Sequence, residues 1–219
     1  MKKAIAILSA VLVTFALFSC SGKKVDERAL KDYASAKTLY SEGRFPESKA
    51  LLEAVIARTP SFHQADLLLA KASLFSGDAE SAAKRLEALS SRRGGYREAE
   101  IWLLRSYLAL GRVKDAETRL LALLEYDQSD PRLFSIAGSV YLEKGEEGKA
   151  LAYYERAIDY GEDLLRDRFE VARLHYRYAQ SERAVTELEA ILAQSESGSG
   201  LHDAAADLLA VIRKEGANK

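Results

Sequence analysis

The residues with which this chain of 219 amino acids could do chemistry are few and scattered. His63, His175 and His202 lie far apart and lack the close spacing by which one helix holds a metal ion. They read as ordinary packing or surface histidines. Glu146 and Glu147 are an adjacent acidic pair, yet they stand near a predicted helix start, where carboxylates favour the helix dipole without any acid–base role. No phosphate-binding glycine loop and no GxSxG nucleophile elbow is present. The single tryptophan, Trp102, falls on a predicted helix and reads as packing. The sequence therefore predicts no enzyme, no metal, no cofactor and no small-molecule substrate. What does recur is positive charge: Lys37, Lys71, Arg105 and Arg173 keep one register, with Ser139 filling the missing place. Such a series suits recognition of acidic groups, and the elements that carry it decide whether the charges share a face.

Composition points to helices. Hydrophobic residues make up 48% and charged residues 30%, with only three prolines, an ordinary globular balance rich in helix formers. Thirty-two basic against 33 acidic residues leave a net charge of −1, without the basic excess that binds phosphate backbones. Nucleic acid is excluded as a partner on that ground. At the amino terminus Lys2 and Lys3 precede an uncharged apolar run from Ala4 to Phe18, the layout of a signal peptide and short for a spanning helix. Leu17, Phe18, Ser19 and Cys20 resemble the lipobox of bacterial lipoproteins, although Phe18 is larger than the residue usual there. The resemblance implies a signal peptide over residues 1–19, cleavage before Cys20, and acylation of Cys20 by diacylglycerol and a further acyl chain such as palmitate. Residues 20–28 would be a short tether. The mature chain would carry 30 basic and 33 acidic residues, net charge −3. Ser21 in place of an acidic residue favours the periplasmic face of a bacterial outer membrane.

Beyond this segment the sequence repeats. Gly43, Gly77, Gly111 and Gly145 are 34 residues apart, each closing a helical pattern where positive φ is needed. Behind them run small residues (Ser48, Ala82, Ala116, Ala150, and Ala184 after Ala179). Larger ones follow: Leu52, Leu86, Leu120, Tyr154 and Leu188, then Val55, Leu89, Leu123, Ala157 and Ile191. The preceding helices carry Ser35, Leu69, Leu103, Ala137 and Val171, then Ala36, Ala70, Leu104, Gly138 and Ala172. Spacings of three and four put these columns on one helical face. Phe134, Ala137, Gly138, Tyr141, Ala150 and Tyr154 resemble the tetratricopeptide signature, and Pro60 falls where that repeat usually ends. The resemblance implies an all-α solenoid of antiparallel helix pairs in a right-handed superhelix. Five repeats are expected, at 29–62, 63–96, 97–130, 131–164 and 165–198. Residues 199–219 then supply a capping helix, with Leu201, Ala205, Leu208 and Ile212 on its inner face, and a tail.

In tetratricopeptide folds the first helices line a concave groove. On this chain that face is expected to carry Tyr33, Lys37 and Tyr40; Leu67, Lys71 and Leu74; Ile101, Arg105 and Leu108; Ser135, Ser139 and Leu142; and Phe169, Arg173 and Tyr176. Lys37, Lys71 and Arg105 have no acid three or four residues away, whereas Arg173 has Glu170. The groove is thus expected to take an acidic, amphipathic or extended segment of a protein. The competing reading packs the apolar members between repeats while the basic ends reach water. The asparagines of the carboxylate-clamp subclass are absent, positions 37 and 71 both being Lys. The function expected is a lipid-anchored adaptor that assembles a protein complex in the bacterial envelope. The layout resembles lipoproteins of outer-membrane protein assembly and type IV pilus pilotins. The alternative is an accessory module that binds and regulates envelope enzymes such as peptidoglycan hydrolases.

Overall fold

Glycine turns at a fixed interval divide this chain into helices. A computed structural model describes residues 26–92, 94–161 and 164–217; Cys20 and the apolar amino-terminal run lie outside them. The described residues form α1 (Glu27–Ser41), α2 (Phe45–Arg58), α3 (His63–Phe75), α4 (Ala79–Arg92), α5 (Arg97–Ala109), α6 (Val113–Tyr126), α7 (Pro131–Glu143), α8 (Glu147–Tyr160), α9 (Leu165–Arg177), α10 (Ser181–Gln194) and α11 (Gly200–Ala217). No strand occurs among them, so the fold is all-α. The even-numbered helices α2 to α10 begin at residues 45, 79, 113, 147 and 181, 34 apart each time. No described helix is long and apolar enough to cross a membrane.

The turns explain the period. Gly43, Gly77, Gly111 and Gly145 have φ of 74°, 85°, 68° and 74°, and Ala179 takes the same place at 57°. After α1, the Gly43 N–H donates to Tyr40 O and the Arg44 N–H to Leu39 O at 2.9 Å; Arg112 to Tyr107, Glu146 to Tyr141 and Gln180 to His175 repeat the longer bond. This left-handed closure satisfies the carbonyls of the last helical turn and reverses the chain into the next helix.

The chain forms two units, Met1–Ala72 and Ser73–Lys219, with α3 running across the division. In the first, Ala29, Ala36, Leu52, Val55, Phe62, Ala65, Leu68 and Leu69 make the core. The buried Ser48 hydroxyl donates to Ala36 O at 2.8 Å, and Arg58 pairs with Asp32 between α2 and α1. Ser35 is exposed, unlike Leu69, Leu103, Ala137 and Val171 of its column.

In the second unit α5 packs on α4 and α6, α7 on α6 and α8, α9 on α8 and α10, and α11 on α10. Ala82, Leu86, Ala116, Leu120, Ala150, Ala184, Leu188 and Ile191 are inaccessible to solvent; each buried leucine or isoleucine contributes about 1.5–3 kcal/mol. The columns also match across each pair. Gly138 accommodates the ring of Tyr154, since a Cβ on residue 138 would stand 2.5 Å from it. Glu100 of α5 accepts from Ser90 of α4 and from Arg119 of α6, whose Nη2 also reaches Ser90 Oγ at 2.8 Å. Burial works against the Glu100 charge, but the Arg119 and Ser90 hydrogen bonds and the Arg119 charge prevail and hold its carboxyl below the usual range. Helix α11 buries Ala205, Leu209 and Ile212. Leu201 and Leu208, expected on that inner face, are half-buried and pack against the same core, and Leu208 also borders a hollow between α9 and α11.

Candidate functional site

Helices α5, α7, α9 and α11, with the last turn of α3, wall a groove of about 1190 Å³. One end is apolar and aromatic. Phe75, half exposed, meets Trp102 edge-on at 5.7 Å between ring centroids. Trp102 is held by its own Nε1–H donating to Glu98 Oε1 at 2.8 Å, one helical turn back. The other end is walled by Phe169, Leu201 and Ala204. It adjoins a hollow of about 440 Å³ that shares Phe169 and Ala204 and adds Leu208 and Val211.

Between these ends the lining is mixed: Ser135, Ser139, Asp167, Arg105, Arg166, Glu143 and Glu170 stand among Leu108, Ile136 and Leu142. The Ser139 and Tyr154 hydroxyls lie 3.1 Å apart. Asp167, 7% exposed, accepts from Ser135 Oγ at its Oδ1, 3.0 Å away. Its Oδ2 is buried and has no hydrogen-bond partner among the described residues. Burial raises the Asp167 pKa from 3.8 to about 6 against the lowering effects of the Ser135 bond and the Arg105 charge, with Glu170 adding to the rise. Desolvation thus dominates this carboxyl. Burial likewise raises the Tyr154 hydroxyl to about 12.

The residues expected to line a groove divide into several groups. Leu74, Arg105, Leu108 and Phe169 do line it, as do Ser135, Ser139 and Leu142. Arg173 and Tyr176 border the adjoining hollow; Arg173 pairs with Glu170 at 2.9 Å and the Tyr176 hydroxyl donates to Glu215 at 2.9 Å. Ile101, 1% exposed, belongs to the core, because its position packs beneath the neighbouring helices; Leu67 at 8% is similar. Lys37 is exposed and Lys71 half-buried in α1 and α3, where Tyr33 packs on Phe62 at 4.8 Å and Tyr40 meets Phe45 edge-on. Arg105 does not stand clear of its surroundings as its sequence neighbours suggested. Its Cζ lies 4.8 Å from the Trp102 ring centroid, an attraction of cation to π-face.

Sequence reasoning passed over Asp167. Its signal was nevertheless present, since stepping back by 34 residues reaches Leu133, Ala99 and Ala65, all fully buried apolar residues. It also passed over the contribution of α11, whose Gly200, Leu201 and Ala204 line the groove. The three histidines are dispersed. His175 Nδ1 meets Gln180 Oε1 at 2.8 Å, His202 Nδ1 meets Ser195 Oγ at 3.1 Å, and His63 is half-buried on α3. No group of three His, Cys, Asp or Glu side chains among the described residues could hold a metal ion.

Helix pairs closed by left-handed turns every 34 residues, with a groove along the first helices, define a repeat protein of the helix-hairpin class. A family model for the tetratricopeptide repeat matches residues 39–95 and 73–138. Among solved structures, the fold is similar to a thermophilic tetratricopeptide-repeat protein of Thermus thermophilus, at 23% identity and TM-score 0.73 over 83% of this chain and 98% of that one. It is also similar to a tetratricopeptide-repeat protein of Parabacteroides merdae, at 14% identity and TM-score 0.73 over 97% and 80%. A chain of the Cut9–Hcn1 hetero-tetramer of the APC/C aligns at 16% identity and TM-score 0.75, over 86% of this chain and 37% of that one. No curated protein matches the sequence.

Proposed function

We propose that the whole chain from residue 29 to 198 is a five-unit tetratricopeptide-repeat scaffold, held at the periplasmic face of a bacterial outer membrane by acyl groups on Cys20. There it assembles an envelope protein complex. The groove carries this reading: with aromatic and apolar surface at both ends and polar groups set among apolar ones between, it has the form that receives an extended segment of another protein. The lipobox-like residues 17–20 support the membrane address, two or three acyl chains being enough for stable anchoring.

The test places a photo-cross-linking residue at Phe75 or Leu201, within the groove, and at exposed Tyr126 of α6 as the comparison, in the full-length protein in cells. Cross-links to one envelope protein from the groove positions alone are expected; cross-links from Tyr126 alone would sink the groove reading. A β-barrel assembly factor or a secretin as the captured protein would identify the complex. A peptidoglycan hydrolase would identify the module as an enzyme regulator. Incorporation of a palmitate analogue and recovery with membranes, both lost in Cys20→Ala, are the outcomes expected of the anchor.

A further inference from the structure

We infer that the floor of the groove recognises a cationic side chain, a lysine or arginine carried by an otherwise apolar extended segment of a partner protein, with Asp167 as the anchor. The inference rests on the groove reading above and specifies the chemistry of what fills it. Two apolar columns turn polar at the same point. Asp167 stands where the preceding units have Leu133 and Ala99, and Ser135 stands in the column of Ile101 and Phe169. The two polar residues meet each other, Ser135 Oγ donating to Asp167 Oδ1 at 3.0 Å.

That bond leaves half of the carboxylate unmet. Asp167 Oδ2 is buried without a hydrogen-bond partner among the described residues, an arrangement that weakens the fold relative to the leucine of the unit before. A packing role is therefore a poor explanation for this carboxylate. An arriving ammonium or guanidinium would supply the missing donors and offset the desolvation, as a charge-assisted bond in a partly water-free site. Arg105, whose charge acts on Asp167, lies over the Trp102 ring.

The charges of the lining leave room for a cation. Glu143, Asp167 and Glu170 face Arg105 and Arg166, and Glu170 already pairs with Arg173. With Arg173 counted, three carboxylates meet three guanidiniums, so the lining has no basic excess to call for an acidic partner, and the unmet oxygen of Asp167 sets the preference. The apolar surfaces of Phe75 and Trp102 on one side, and of Phe169 and Leu201 on the other, suit apolar residues flanking the cation.

Three acetylated and amidated nonapeptides test this. They share leucine and phenylalanine flanks and differ in a central lysine, norleucine or glutamate, and each is titrated into the full-length protein at pH 7.5 and 0.1 M salt. Trp102 is the only tryptophan of the chain, so its emission reports occupation of the groove. A charged hydrogen bond of this kind predicts that the lysine peptide binds about tenfold or more tightly than the norleucine peptide, and the glutamate peptide weakest. Asp167→Asn, checked for unchanged helical circular dichroism, removes the lysine preference and leaves the norleucine peptide's affinity unchanged. Equal binding of lysine and norleucine peptides, preference for glutamate, or a lysine preference that survives in Asp167→Asn overturns the inference while the groove reading stands. If no peptide shifts Trp102 emission, both fall. The comparison of the three peptides on the parent protein does not depend on how the variant folds.

Discussion

Replacing Asp167 by Asn should change how the stability of the second unit depends on pH. The folded carboxyl holds its proton up to about pH 6, whereas the ordinary value is 3.8. Below 3.8 the group is neutral in folded and unfolded chains, and its burial carries no ionic penalty. As pH rises, the unfolded chain ionises first, and the penalty on the fold grows until it levels off above the folded value. With 1.36 kcal/mol per pKa unit, the two values give a penalty of about 0.5 kcal/mol at pH 4 and about 3 kcal/mol at pH 8. Asn keeps the acceptor for Ser135 but cannot ionise. Whatever constant offset its amide introduces, the stability of Asp167→Asn relative to the parent should therefore rise by about 2.5 kcal/mol between pH 4 and pH 8. Urea denaturation of both proteins at each pH, followed by Trp102 emission and by circular dichroism, measures that difference. A relative stability that stays flat across this range, or moves the other way, would refute the argument that desolvation governs this carboxyl. Higher stability together with loss of the lysine preference would mark Asp167 as a residue that serves recognition against stability.

Other sites give independent tests. Gly138→Ala should destabilise by about 1–2 kcal/mol, because overpacking against the Tyr154 ring outweighs the better helix propensity of alanine. Adding Tyr154→Leu should recover most of that loss, since Ala172 with Leu188 is the same pairing in the next unit; thermal or urea denaturation of the two singles and the double completes the cycle. Ala179→Gly should stabilise by about 1 kcal/mol in urea titration, because a β-carbon is disfavoured at the left-handed φ of 57° found there. Glu100→Gln should cost about 2 kcal/mol at pH 7, discounted for the partial exposure of Arg119. Glu100 has a folded pKa below its ordinary value, so its contribution is present above that value and is lost as pH falls through the folded one. The difference between Glu100→Gln and the parent should accordingly shrink on acidification.

Local backbone chemistry made much of this protein legible in its residues. A glycine closing each helical run, followed by small and large apolar residues at spacings of three and four, is a one-dimensional signal. Gly43, Gly77, Gly111 and Gly145 need no partner to specify a left-handed turn, and Ala82, Leu86, Ala150 and Leu188 need only helical geometry to share a face. The helices, their order, the turns and most of the core columns were therefore set by the sequence itself. Contacts between helices were not readable in this way. Ile101 and Arg105 are neighbours on one helical face, yet packing buried the first and laid the second over Trp102. The face of α11 that turned inward was set by its fit to α9 and α10, which added Leu209 to Ala205, Leu208 and Ile212. Asp167 went unmarked in the sequence, and only folding brought it to Ser135, buried it and left one oxygen without a donor among the described residues. Its character comes from desolvation and from side chains on other helices, and these exist only once the chain is packed.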